Sequence, residues 1–286
     1  MKIQRKPEWL KIKMENSEKY SMVKQVVQDN QLHTICTSGK CPNMNHCWSI
    51  GTATFMIMGD ICTRACKFCA TKTGKPLPLN PEEPQHVAES ISMMKLKHCV
   101  ITSVDRDELP DKGAHHWAET IKAIRQINPH VTIELLIPDY EKKLLDIVLE
   151  AKPDIVAHNL ETVERLTPTV RSKAASYRTS LNVIKEIAES GFISKTGIML
   201  GLGETKDEVV NLMKECRDVG CEMMTIGQYL QPTSQNIEVT EYVHPDVFQY
   251  YKKVGESFAF RNIESAPLVR SSFMAEYSFM KKGCSE

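Results

Sequence analysis

The feature that most constrains the fold is an alternation of short apolar runs with amphipathic stretches. Six apolar runs rich in Val, Ile, Thr and Met follow Gly51, at 52–59, 98–104, 131–138, 154–160, 195–201 and 223–230. Such runs are typical of strands buried on both faces of a parallel sheet. Stretches with apolar residues at helical spacing and charge on the other face lie between them, at 82–95, 115–128, 141–152, 176–190 and 207–220. The alternation predicts βα units.

Six units are too few for a full eight-fold barrel, so the α/β fold that we predict is a partial (β/α)6 TIM-type barrel, with an open doubly wound sheet as the alternative. The barrel is expected over 51–235, with extensions over 1–50 and 236–286 that pack onto its open mouth. In either architecture the chemistry belongs at the carboxyl ends of the strands. Polar or small residues at those ends are Asp105, Arg106, Asn159, Glu161, Gly203, Glu204, Gln228 and Gln231.

Charge and hydropathy exclude several classes of partner. The 36 basic residues balance the 36 acidic ones among 286 residues, so no global field favours nucleic acid or an anionic membrane. The first twenty residues are charged and lack the apolar core of a signal peptide, and no run of about 18 apolar residues follows. A soluble cytoplasmic protein is the expectation.

Cysteine usage points to metal chemistry. Six of the ten cysteines fall between residues 36 and 69, a clustering that indicates metal ligands in a reducing compartment. Cys62, Cys66 and Cys69 form C-x3-C-x2-C directly after the first apolar run. Three thiolates without a nearby histidine suit a four-iron cluster with one open iron, at which S-adenosylmethionine can bind. A zinc or redox-thiol loop is the alternative.

A second triplet precedes the first. Cys36, Cys41 and Cys47 form C-x4-C-x5-C, which is again one ligand short of four. Either His46 completes a zinc site, or the triplet holds a second iron–sulfur cluster whose fourth ligand comes from elsewhere in the chain.

The two triplets, joined by WSIGTATFMIMGDICTR, resemble those of the lipoyl synthase family within the radical S-adenosylmethionine enzymes. The resemblance runs from about residue 32 to about residue 275. Further matching segments are ITSVDRDEL at 101–109, HNLETVERLTPTVR at 158–171, GIMLGLGET at 197–205, TIGQYLQPT at 225–233 and VRSSF at 269–273.

The resemblance implies an enzyme that inserts two sulfur atoms at C6 and C8 of a protein-bound octanoyl-lysine. Its cofactors would be S-adenosylmethionine and two [4Fe–4S] clusters, of which the auxiliary one donates sulfur. Implied partners are octanoylated lipoyl carriers (the E2 subunits of 2-oxoacid dehydrogenases and the glycine cleavage H protein), reduced ferredoxin or flavodoxin, and an iron–sulfur cluster carrier. The alternatives are another radical enzyme, such as a methylthiotransferase, and a non-catalytic zinc or iron–sulfur binding module.

The resemblance also assigns roles near the C-terminus. A serine of the family's Arg-Ser-Ser-Tyr motif is the fourth ligand of the auxiliary cluster, and by position this is Ser272, with Ser271 as the fallback. Phe273 stands where the family has tyrosine, so any hydrogen bond from that hydroxyl is lost.

Further residues are candidates for cofactor contacts. Asn159 and Glu161 are expected to bind the ribose hydroxyls of S-adenosylmethionine, with Arg171 or Arg178 near its carboxylate; purely structural roles are the alternative. Arg64 and Lys67, inside the first cysteine loop, position the cluster or are solvated charges.

The remaining cysteines have no expected metal role. Cys99, Cys216 and Cys221 lie in apolar or helix-end contexts typical of the core. Cys284, in the tail, is expected to be an exposed thiol.

Overall fold

A computed structural model describes residues 5–12, 17–272 and 275 of the chain, which form an α/β fold around one eight-stranded sheet. In chain order the strands are β1 (His33–Thr34), β2 (Thr54–Ile57), β3 (Ile61–Cys62), β4 (Lys72–Thr73), β5 (His98–Ser103), β6 (Thr132–Leu136), β7 (Ile155–Ala157), β8 (Ile193–Leu200), β9 (Met223–Gln228) and β10 (Asn262–Ser265).

The strand order decides between the two predicted architectures. The main sheet runs β1-β2-β5-β6-β7-β8-β9-β10, while β3 and β4 pair separately. From β2 to β10 every pairing is parallel, and each strand lies beside the next main-sheet strand along the chain. A doubly wound sheet reverses its strand order at a switch point, whereas a barrel does not. The partial barrel is therefore confirmed.

Helices connect the parallel strands as the amphipathic pattern predicts. They are α1 (Glu18–Asp29), α2 (Ile35–Ser38), α3 (Met44–Ser49), α4 (Glu83–Met93), α5 (Ala114–Ile127), α6 (Lys142–Glu150), α7 (Thr167–Val170), α8 (Tyr177–Glu189), α9 (Lys206–Asp218) and α10 (Pro245–Ser257). Two single 3-10 turns lie at Glu8–Leu10 and Glu164–Leu166. The five predicted helices correspond to α4, α5, α6, α8 and α9.

The strand–helix alternation continues beyond residue 235, contrary to the expectation from the sequence. Helix α10 follows β9, and β10 then adds a seventh parallel strand through the pairing of Asn262 with Met223. Strand β10 alternates buried with half-buried residues, as an edge strand does, so it lacks the continuous apolar run that marks the inner strands. The boundary at 235 itself stays a prediction.

The N-terminal extension adds one more strand and the helices that carry the second triplet. Strand β1 pairs antiparallel with β2, with His33 opposite Met56. Helix α2 follows β1 directly and is capped by Thr34, whose hydroxyl accepts from the N–H of Thr37.

The core lies between the sheet and its covering helices. Cys99, Cys216 and Cys221 are fully buried in it, as predicted. No helix in the described ranges is long and apolar enough to cross a membrane. The positions of Phe273 and Cys284 lie outside the described residues.

Candidate active site

The first cysteine triplet follows β2, with Cys62 at the end of β3, and each of its three sulfurs accepts at least one hydrogen bond from a backbone amide. The Cys62 sulfur accepts from the N–H groups of Arg64 at 3.4 Å and Asp105 at 3.3 Å. Cys66 accepts from Ser172 at 3.3 Å and Cys69 from Thr71 at 3.4 Å. Amide hydrogen bonds of this kind stabilise thiolate sulfurs and influence the potential of a cluster bound to them.

Burial favours the protonated form of the Cys62 and Cys66 thiols when no metal is bound. It raises the pKa of Cys62 to about 12, to which the nearby Asp105 carboxylate contributes, and the pKa of Cys66 to about 11. A metal centre must therefore displace protons when it binds here.

The second cysteine triplet, Cys36, Cys41 and Cys47, lines the same cavity as the first triplet. Cys36 lies in α2, Cys47 in α3, and Cys41 between them. Burial raises the pKa of all three thiols, and that of Cys47 reaches about 12. The backbone N–H of Thr54 opposes the shift at Cys36 by donating toward its sulfur.

One cavity of about 560 Å³ brings both triplets together. It opens at the carboxyl ends of the strands, as the fold class predicts. Its walls include all six cysteines and most of the other predicted site residues, namely Asn159, Glu161, Arg171, Ser271 and Ser272. Apolar side chains of β2, β6 and β8, such as Met56, Leu136 and Ile198, also line the cavity.

The two serines of the C-terminal motif have different neighbours. The Ser272 hydroxyl accepts a hydrogen bond of 2.8 Å from Thr54, the residue whose backbone N–H approaches Cys36. Ser271 accepts instead from the Asn159 amide. Ser272 is thus on the side of the second triplet, whereas Ser271 is tied to the end of β7.

Glu161 and Arg171 occupy one wall of the cavity. Glu161 has a left-handed backbone (φ 68°) and bridges to β8, with its N–H bonded to Gly197 and its carbonyl to Met199. Burial raises the pKa of its carboxyl, which the Arg171 guanidinium partly offsets. Arg171 is itself buried and donates to Ser180 at 2.7 Å.

Arg178 does not reach the cavity. It lies on the exposed side of α8, where it pairs with Glu164 at 2.6 Å and Glu215 at 2.9 Å. Of the two arginines predicted near the S-adenosylmethionine carboxylate, the structure brings only Arg171 to the site.

Arg64 is buried among three carboxylates rather than solvated. Its guanidinium pairs with Asp107 at 2.8 Å, with Asp105 at 3.5 Å and with Asp139. Lys67, by contrast, is exposed, and only its backbone is engaged, through bonds to Val170 and Ile237. The sequence reasoning missed Asp139, although its position shortly after β6 is a signal for it.

Two other residues beside the second triplet were also missed. Arg270 is half-buried near Cys41, and burial lowers the pKa of its guanidinium. Its place in the Arg-Ser-Ser-Phe motif was the available signal. Thr54, inside a buried strand, offers no sequence signal for its contact with Ser272.

The donor set fits iron–sulfur clusters better than single ions. Within the described ranges no group of three or more His, Cys, Asp and Glu side chains is arranged to hold one metal ion. Zn–S bonds of about 2.3 Å would bring ligand sulfurs within about 4.6 Å of each other. A four-iron cluster binds more widely spaced thiols, because each thiol ligates a different iron.

Comparison with known proteins gives a consistent picture. A family model described as the Radical SAM superfamily matches residues 56–216. A curated protein named lipoyl synthase from Bacteroides fragilis (strain YCH46) is 60% identical over 274 residues, covering 95% of this chain and 95% of its own length. Lipoyl synthases from Parabacteroides distasonis and Treponema denticola are 58% and 56% identical, over 95% and 96% of this chain and 97% and 94% of theirs.

Solved structures share the fold at low sequence identity. Streptococcus suis SuiB bound to S-adenosylmethionine superposes with a TM-score of 0.59 at 12% identity, over 74% of this chain and 49% of its own. Methylornithine synthase (PylB) gives 0.58 at 10% identity, over 90% and 85%.

Proposed function

Because the chain belongs to the lipoyl synthase family of the radical SAM superfamily, we propose that its two cysteine triplets hold two clusters with different tasks. The chain is a sulfur-inserting enzyme that uses S-adenosylmethionine and an iron–sulfur cluster. Its substrate is an octanoyl chain on a carrier protein.

We assign the first cluster to Cys62, Cys66 and Cys69. When bound, a four-iron cluster with an open iron supplies the electron that converts S-adenosylmethionine to methionine and a 5′-deoxyadenosyl radical. Asn159 and Glu161 are placed to orient the ribose of the cosubstrate, and Arg171 to meet its carboxylate.

We assign the auxiliary cluster, the sulfur donor, to Cys36, Cys41, Cys47 and Ser272. The observation that carries this assignment is that both triplets line one cavity, so a substrate chain reaches both centres without leaving it. The Thr54 contact supports Ser272 over Ser271. A serine oxygen is a weaker anchor for iron than a thiolate, which favours loss of that iron as the cluster is consumed.

We propose E2 subunits and the H protein as carriers, ferredoxin or flavodoxin as electron donor, a cluster carrier for repair, and the cytoplasm as location. A reducing compartment suits six free thiols around one cavity.

Isotope labelling tests the sulfur source. Protein reconstituted with sulfide of a heavy sulfur isotope is mixed with an octanoyl-lysine peptide, and the mass of the product is measured by mass spectrometry. We expect two heavy sulfurs, undiluted by light sulfide added at the start, and about one lipoyl group per chain without a repair system, because one cluster serves each chain.

The matched control removes only the second triplet. A Cys36/Cys41/Cys47→Ala variant should still cleave S-adenosylmethionine yet form no lipoyl product. Mostly light sulfur in the product, or many turnovers without a cluster carrier, would show that the second cluster is not the donor. Cys284 would then be the first persulfide candidate to mutate.

A further inference from the structure

Residues 105–107, shortly after the end of β5, each contact the first cysteine loop. Asp105 donates its N–H to the Cys62 sulfur and accepts the N–H of Thr63 at 3.1 Å. Asp107 forms the bidentate pair with Arg64. The residue between them, Arg106, contacts none of the cysteines.

Arg106 instead joins the two ends of that loop. Its side chain is nearly inaccessible, with only 3% of the residue exposed. One guanidinium nitrogen donates to the carbonyl of Met58 at 3.0 Å, and the other donates to the carbonyl of Leu77 at 2.8 Å. The nitrogen Nε pairs with Glu108 at 2.6 Å. Residues 58–77 begin where β2 ends and enclose all three cysteines.

The start of the loop needs such support because its backbone is strained. Met58 is left-handed (φ 68°) and is followed by Gly59 with φ 90°. A non-glycine residue in this region of the backbone is strained and persists only when its surroundings enforce it. The Met58 N–H donates to Glu83 at 2.7 Å, and Glu83 is in turn held by His116 at 2.7 Å. Arg106 holds the same residue from its other backbone group, by donating to the Met58 carbonyl.

We propose that Arg106 is the positioning residue of the radical-forming centre, closing the base of the 58–77 loop so that its three thiols present one geometry. Two parallel donors at fixed spacing are a property of the guanidinium group, and a lysine ammonium cannot reproduce them. The assignment of a cluster to this loop rests on the proposed function; the closure of the loop does not.

Hydrogen exchange and iron retention test the proposal together. In Arg106→Lys, amide exchange within 58–77 should rise at least about tenfold in the metal-free chain, because a buried charged hydrogen bond to a carbonyl is lost. In the reconstituted enzyme, a chelator should remove iron from the first cluster at least about tenfold faster, as followed by EPR. Exchange in 35–49 and retention of the auxiliary cluster should not change.

A matched control is Arg217→Lys. Arg217 likewise donates to two backbone carbonyls, those of Phe258 and Cys221, but it lies at the end of α9 and does not contact the 58–77 loop. It should leave both the loop and the iron unchanged. If Arg106→Lys does not fold, Arg106→Gln, which keeps one short donor, should show the same effects.

Unchanged exchange in 58–77, or an equal rise throughout the chain, would overturn the proposal. If the loop held no cluster, wild-type enzyme would lack the corresponding EPR signal, and that outcome would count against the proposed function alone. The exchange measurement would still decide the role of Arg106.

Discussion

The side-chain amide of Asn159 donates a hydrogen bond of 2.8 Å to the hydroxyl of Ser271, 112 positions later in the chain. The bond joins the end of β7 to the C-terminal segment that carries Ser272. Gly197 makes room for it, since a Cβ there would lie 2.9 Å from the Asn159 oxygen and 3.2 Å from the Ser271 hydroxyl. The proposed cosubstrate wall and the proposed auxiliary ligand are therefore linked through one contact.

Replacing Ser271 and replacing Ser272 should affect the reaction differently. Ser272→Ala should reduce lipoyl product at least about tenfold while sparing formation of 5′-deoxyadenosine, because only the auxiliary cluster loses a ligand. Ser271→Ala should be milder, since it removes one neutral hydrogen bond worth about 1 kcal/mol. Product and 5′-deoxyadenosine are measured in the same reaction. Reversed effects would move the ligand to Ser271.

Removing the first triplet should halve the iron. We expect about eight irons per chain in anaerobic preparations, since each triplet fits a four-iron cluster. Cys62/Cys66/Cys69→Ala should retain about half of that iron and form no 5′-deoxyadenosine. Metal analysis with the reaction assay decides this, and stoichiometric zinc without iron would refute both cluster assignments.

Asn159 should contribute to cosubstrate affinity. Among the residues that the structure describes, its buried side-chain oxygen has no hydrogen-bond partner, and Asn159 is 8% exposed on the cavity wall. A buried unpaired acceptor costs about 1–3 kcal/mol, which a ligand donor would recover. Asn159→Ala should weaken S-adenosylmethionine binding by about tenfold in equilibrium dialysis.

Arg178→Ala, on the outer face of α8, is the comparison for that measurement. It should leave the affinity unchanged, because Arg178 is occupied by Glu164 and Glu215 outside the cavity. The opposite ranking of the two variants would mean that Arg178 contacts the cosubstrate and Asn159 does not.

A buried charge cluster predicts how stability depends on pH. Glu134 pairs with Lys195 at 2.5 Å and with His98 at 3.1 Å, all three side chains being nearly inaccessible. Burial alone would raise the pKa of Glu134, but Lys195 and His98 hold it below its ordinary value of 4.5. Its contribution to stability is therefore present above about pH 4.5 and is lost as the pH falls through the lower pKa of the folded state.

The Glu134→Gln variant should reveal how much the Glu134 carboxylate contributes to stability. At pH 7 it leaves the Lys195 charge buried and unpaired, at a cost of about 3–5 kcal/mol. Thermal melts of the enzyme should show a lower Tm for the variant, with a gap that narrows below about pH 4.5. A difference in Tm that does not change with pH would contradict the assignment of this contribution to the Glu134 carboxylate. The double variant Glu134→Gln/Lys195→Met should recover most of the lost stability, because it removes the unpaired charge as well.

The elements that the sequence predicts correctly are those whose signals lie close together in the chain. Apolar runs mark β2 and β5 to β9 because each of these strands is buried on both faces. The cysteine triplets are likewise local, since the cysteines of each lie within a dozen positions. Strand β10 was missed because an edge strand needs only every second residue buried.

The site depended on contacts between distant positions, which no local pattern records. Only the folded chain brings Cys36 and Cys62 to one cavity, pairs Ser272 with Thr54, and turns Arg178 away from it. Arg106 shows the same limit: its sequence neighbours predict a polar residue after a strand, but not that its two nitrogens reach Met58 and Leu77. The residue types determined which chemistry is possible, whereas side-chain packing and hydrogen bonding across the barrel decided which residues meet to perform it.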